Sequence, residues 1–244
     1  MVFRLSFFGT SLADGVLFFV QLVTFQIIYG QVDTIAGWTR GQMLIFIGTF
    51  SMLNGINLLT VYFGIANIPE KIRNGDLDHY LTKPINPLLR LSFENINPGS
   101  IPLLFISGGI IAYGVIEAEI NVTFSLLSSY IALTLLMSLL WYDVAIILRT
   151  LPFFFISGNA SDRLEDIFYE LNFKIPGVVY KGIFRAFFYF ILPYGIMSTV
   201  PTQMLTGTLT TLGLLQALGT VIFFTFFAIW FWRFGLKHYK SASS

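Results

Sequence analysis

The chain contains no cysteine, which excludes disulfides, thiolate metal sites and cysteine nucleophiles. Its two histidines, His79 and His238, lie in different polar segments and make a poor metal centre. Charge is scarce. Only 11% of the 244 residues are Asp, Glu, Lys or Arg, against about 25% in an average soluble domain. The net charge of +1 gives no footprint of nucleic-acid binding and no acidic tail. No Gly-x-x-x-x-Gly-Lys-Ser/Thr phosphate loop occurs, so the chain cannot cradle ATP in that way. No His-Glu-x-x-His and no Ser/His/Asp set is present. The sequence makes no case for an enzyme or for a cofactor or metal held by this chain.

What remains is apolar. Hydrophobic residues make up 55% of the chain, and the mean hydropathy is +0.76. A soluble protein of this length cannot hide so much apolar surface, because much of its surface must stay wet. Lipid is the expected solvent. A helix needs about 20 mostly apolar residues to cross the hydrocarbon. Six segments qualify: Phe7–Tyr29, Met43–Ala66, Ser100–Ile116, Thr123–Leu148, Ile183–Val200 and Leu209–Trp232. The expected fold is all-α, a polytopic membrane protein with six transmembrane helices in one transmembrane domain. Pro193 is expected to kink the fifth span. The first stretch is too long for a signal-peptide core and reads as a retained span.

Basic residues orient the spans. With six crossings, every Lys and Arg except Arg40 falls on the side of the two termini, and the positive-inside rule makes that side cytoplasmic. The outer connections, Gly30–Gln42, Glu117–Val122 and Pro201–Thr208, are short. The last is apolar enough to dip back into the membrane edge. Trp230, Trp232 and Tyr239, with Arg233 and Lys237, read as an inner interface anchor.

Two cytoplasmic segments hold most of the polar residues. In the first, 67–99, Pro69 suits a helix start and Glu70 suits its positive dipole end. Gly75 suits the left-handed position that ends a helix, and Asp76 suits the cap of a further turn through Leu81. Lys83-Pro84 forces an extended break, and Asn86-Pro87 repeats the cap-then-proline start. These signals describe a charged elbow of short capped helices, although spacing alone better suits an ordinary solvated loop. In the second, 157–182, Asp162 and Glu165 resemble a capping box, and Leu164, Ile167, Phe168 and Leu171 recur at helical spacing. That pattern describes an amphipathic helix on the membrane surface or against a partner, or an interfacial linker.

Two acids fall inside spans, Asp14 and Asp143. An intramembrane acid is a candidate proton site by default. The simpler expectation is structural pairing, of Asp14 with water or Arg4 and of Asp143 with a basic group near the inner boundary. Asn54 and Asn57 read as interhelical hydrogen-bonding groups.

The run Arg73-Asn-Gly-Asp-Leu-Asp-His-Tyr-Leu-Thr-Lys-Pro-Ile-Asn-Pro-Leu88 carries a resemblance. Weaker agreement lies at Ile35-Ala-Gly-Trp38, at Leu192-Pro193 with Thr199-Val-Pro201, and at Phe231-Trp-Arg-Phe-Gly-Leu-Lys-His-Tyr239. Over nearly its whole length the chain resembles the six-span ABC-2, or viologen-exporter-like, permeases of the type-2 ABC exporter class. The resemblance implies a bacterial cytoplasmic-membrane permease that works with a separate nucleotide-binding ATPase, which binds ATP and magnesium. It implies a second copy or a sister permease, an unidentified transported substrate and no nucleic acid. It also implies that Glu70, Arg73, Gly75, Asp76, Leu77, Asp78, Lys83, Pro84, Asn86 and Pro87 form the ATPase-coupling site. An amphipathic lead-in common in that class is not evident here, which points to a shortened start. Two other readings suit the residues: a proton-coupled secondary transporter using Asp14 or Asp143, and a membrane scaffold subunit that transports nothing.

Overall fold

The computed structural model describes residue 16 and residues 19–154 and 175–239. In chain order, α1 (Phe19–Tyr29) leads through a tight turn to α2 (Arg40–Thr60). Short helices follow: α3 (Tyr62–Ala66), α4 (Ile68–Asn74), α5 (Asp78–Leu81) and α6 (Pro87–Phe93). A 3-10 turn, Pro98–Ser100, opens α7 (Ile101–Glu117), and α8 (Phe124–Thr150) returns. Beyond residue 175 come α9 (Gly182–Ala186), a π turn (Phe187–Ile191), α10 (Tyr194–Met197), α11 (Thr199–Leu205) and the long α12 (Thr211–His238). Among the described residues no strand forms; the one extended pairing is an isolated bridge from Ile35 to Trp38. Only helices and closed barrels satisfy every backbone group in hydrocarbon, so an all-helical chain of this composition is the expected membrane solution. Four described helices are long and apolar enough to cross a bilayer, or five if the bent pair after residue 181 is one span.

The helices meet through small residues. Gly41, Gly48 and Gly55 recur every seventh position along α2 and face α7. A methyl group on Gly48 would stand 2.7 Å from an Ile111 side-chain carbon, and one on Gly41 would stand 2.6 Å from the Ala118 backbone nitrogen. Between them, Ser107 donates to Ser51 at 2.7 Å. Lipid tails are as apolar as leucine, so close packing and interhelical hydrogen bonds hold such a pair. α8 passes through the centre of the fold. Tyr130 and Thr49 hydrogen-bond at 2.8 Å, and Asn57 donates to Ser138 at 3.1 Å, joining α8 to α2. Phe46, Phe50 and Leu53 pack there with Met137, Leu140, Trp141, Tyr194 and Met197.

The fifth apolar segment bends at Pro193, where the sequence predicts a kink, and its helical part runs beyond Val200. Gly182–Ile191 and Tyr194–Leu205 meet at an angle of 82°. Pro193 has no N–H, and the turn before it widens: the Leu192 N–H reaches back to Phe187 at 2.9 Å. Residues 201–205, expected in an outer connection, are helical, and Pro201, Thr202 and Leu205 are buried. This second limb packs against α8. It is pinned by Gly177, whose N–H donates to Thr199 Oγ1 at 2.9 Å. The second segment is also interrupted, with α2 ending at Thr60 and α3 resuming after Val61. The sixth runs past Trp232 to His238. Trp232 is not an interface anchor. It is 3% exposed and packs edge-on against Phe153 at 5.5 Å.

Candidate functional site

The charged elbow is built by local chemistry that the sequence states openly. Pro69 sits in the first turn of α4, where its missing N–H costs nothing, and Glu70 follows at the positive dipole end. Gly75 ends α4 in the left-handed conformation at φ 79°. Lys83 and Pro84 lie in the break before α6. Asn86 caps α6 by accepting from the Leu88 N–H at 3.0 Å and the Leu89 N–H at 3.4 Å, and Pro87 takes the first helical position. One expectation fails. Asp76 does not cap α5; Leu77 occupies the capping position, without a side-chain bond. Leu77 must bury its side chain beneath the elbow, and that burial fixes where α5 starts.

One face of the elbow is glued to the membrane helices. Ile68, Leu77 and Leu91 are fully buried with Ile65, Ala145 and Ile146 of α8 and Ala228 and Trp232 of α12. α3 and α6 cross so closely that a methyl group on Gly64 would overlap the carbonyl oxygens of Leu91 and Ser92. Ser92 hydrogen-bonds the Tyr142 hydroxyl on α8 at 2.8 Å. The elbow is therefore a rigid extension of the bundle.

A clamp crosses its middle. Lys71 donates to Tyr80 at 2.6 Å and to Glu94 at 2.5 Å, and the Tyr80 hydroxyl donates to the other Glu94 oxygen at 2.6 Å. The Arg90 guanidinium lies over the Tyr80 ring, 4.8 Å from its centroid. Burial pulls the Lys71 pKa down, but the hydrogen bonds and charges of Glu94 and Tyr80 outweigh it and leave the ammonium above its ordinary 10.5. Lys71 stays charged at neutral pH. Its contribution to elbow stability is present below the ordinary lysine pKa and is lost only as pH rises through the raised value. Lys71→Ala is expected to cost the elbow about 1–2 kcal/mol. Amide exchange should quicken across residues 68–94 and leave α2 and α7 unchanged.

Beside the clamp lies a polar cleft of about 470 Å³, with Glu70, Asp76, His79, Arg90 and Glu94 among its walls. The elbow thus places the ten sequence candidates in three different settings. Glu70, Arg73, Asp76, Lys83 and Pro84 are exposed. Gly75, Asn86 and Pro87 set the backbone. Leu77 is wholly internal, and Asp78, at the start of α5, is half-buried. Sequence reasoning missed Lys71, Tyr80, Arg90 and Glu94. The clamp joins positions 71 and 94, and no local spacing signals that contact.

The intramembrane acids separate. Asp143 on α8 is 2% exposed and accepts from Thr225 of α12 at 2.5 Å. The expected basic partner is not found among the described residues: neither ion pair seen there, Arg40–Glu117 or Lys71–Glu94, involves Asp143. A hydroxyl on the neighbouring helix serves instead. Asp14, Arg4 and the capping-box residues Asp162 and Glu165, with the amphipathic run from Leu164 to Leu171, lie outside the described residues.

Long apolar helices bound by small residues, with a braced polar elbow at one end, describe a multi-pass integral membrane protein. The chain belongs to the ABC-2 family of transporter proteins: that family's profile, described as ABC-2 family transporter protein, matches residues 16–243. No curated protein and no solved structure matches the chain.

Proposed function

We propose that this chain is the membrane-spanning permease subunit of an ATP-binding-cassette exporter in the bacterial cytoplasmic membrane. It crosses six times with both termini cytoplasmic. It lines the pathway together with a second copy or a sister permease. ATP and magnesium are bound by a separate ATPase, which docks on the elbow, 67–99. Export as the direction follows the sequence resemblance.

The observation that supports this reading is the elbow itself. One side is polar and exposed, at Glu70, Arg73 and Asp76. The other is locked to α8 and α12 through Leu77, Leu91 and Trp232. A push on the polar side therefore moves two membrane helices instead of bending a loop. A switch needs contacts that differ between its states, and ATPase subunits that close on ATP and part after hydrolysis supply them. Co-purification from native membranes tests the assignment: an ATPase bearing the phosphate loop is expected with the chain, and ATP-independent transport by the purified chain alone overturns it.

Asp143→Asn distinguishes this reading from a proton-coupled transporter. The amide keeps an acceptor for Thr225 but cannot carry the proton cycle. Transport is expected to stay within about twofold of wild type, since only one hydrogen bond changes character. Flux abolished by this substitution, with the protein still folded, favours the proton-coupled mechanism instead.

A further inference from the structure

A cleft of about 340 Å³ lies between α1, α2 and α7, at the end remote from the elbow. That volume falls in the range of ligand sites, about 300–1,000 Å³. Its walls are sorted by polarity. Leu22, Phe25, Leu44, Ile47, Ile106 and Ile110 supply the apolar part. Tyr29, Arg40 and Tyr113, which also line it, stand near the helix ends. At ~1.5 Å rise per residue, Tyr29 is about 10 Å along α1 from Leu22. The cleft is amphipathic along its length.

Arg40 is what gives this cleft a chemical preference. It is the basic residue that stands apart from all the others in the expected topology. Its nearest acid, Glu117, is 3.6 Å away, longer than a hydrogen bond, and the Arg40 side chain is 41% exposed. Glu117 does not line the cleft. Glu117 offsets part of the Arg40 charge, but at that distance no hydrogen bond engages the guanidinium donors. The guanidinium presents a donor fork shaped for phosphate. The bilayer supplies phosphate at that depth, attached to acyl chains that match the apolar wall.

We propose that this cleft binds one phospholipid of the surrounding leaflet, its phosphate on Arg40 and one acyl chain along the α1–α2–α7 wall. The site is independent of any ATPase contact. A methyl group on Gly109, which lines the cleft, meets nothing within 4 Å. Gly109→Leu therefore starts its side chain in open space at the cleft wall, and Ile106→Trp enlarges a lining residue of the same helix.

The test is native mass spectrometry of the full chain in detergent doped with phosphatidylglycerol. Wild type is expected to retain one lipid per chain. Gly109→Leu and Ile106→Trp should both lose it, and Arg40→Gln should hold it about tenfold more weakly, the loss of a charge-assisted hydrogen bond. Retention unchanged in either filling variant overturns the site, and retention unchanged in Arg40→Gln overturns the phosphate contact. The chain has no cysteine, so Gly109→Cys places a single thiol in the cleft. Bis-maleimide cross-linking of two copies through that thiol also overturns the proposal, because it makes the cleft a protein interface.

Discussion

Gly64→Ala is expected to detach the elbow from the bundle. The added methyl group meets the carbonyl oxygens of Leu91 and Ser92, which are backbone and cannot rotate aside. α3 must move away from α6, and the buried set of Ile65, Ile68 and Leu91 loses its fit to α8. Overpacking of this kind costs about 1–3 kcal/mol. The expected signs are a lower thermal midpoint, protease cutting between residues 67 and 99, and at least tenfold weaker ATPase capture. Gly109→Ala is the matched control. It adds the same methyl group to a helix where nothing lies within 4 Å. Alanine is the better helix former by about 1 kcal/mol, so no loss is expected there. Equal damage from both substitutions contradicts the close crossing.

The second large effect belongs to charge. Glu70 and Asp76 are exposed and line the polar cleft, whereas Lys71 and Glu94 already satisfy one another. Glu70→Arg combined with Asp76→Arg leaves the buried face of the elbow untouched. The fold is expected to hold within about 0.5 kcal/mol, as for most surface changes. Reversed charges at an interface cost several kcal/mol, so ATPase capture should fall by roughly 100-fold or more. Wild-type capture by a well-folded double variant places the docking surface elsewhere. The pairing with Gly64→Ala is informative, because one substitution removes capture by unseating the elbow and the other by altering its face.

How much of this was legible in the sequence depended on the range of each interaction. Gly75 at a helix end and Asn86-Pro87 at a helix start act within a few residues, and the sequence pattern located them. The apolar runs located α2, α7, α8 and α12 for the same reason. The Lys71–Tyr80–Glu94 clamp was not legible, because it closes only when α4, α5 and α6 fold together. Leu77 displaced Asp76 from the capping position because tertiary burial outweighed capping preference. Pro193 announced a disturbance, but the 82° bend depends on Gly177 and α8 receiving the second limb. Trp232 resembled an interfacial anchor until Phe153 and the elbow core covered it. The seven-residue recurrence of Gly41, Gly48 and Gly55 went unread in the sequence, because its meaning requires α7 to lie opposite.

An ATPase docked on the elbow must lie within cross-linking reach of it. The most direct measurement places a photo-cross-linking residue at position 76 and a second at position 109, each in a chain expressed in its native membrane. Position 76 faces the polar cleft of the elbow, and position 109 lies on α7 at the other cleft. Position 76 is expected to give an adduct whose partner, identified by mass spectrometry, carries the phosphate loop this chain lacks, and position 109 is expected to give no such adduct. The same ATPase captured equally from both positions, or no ATPase captured from position 76, contradicts docking on the elbow.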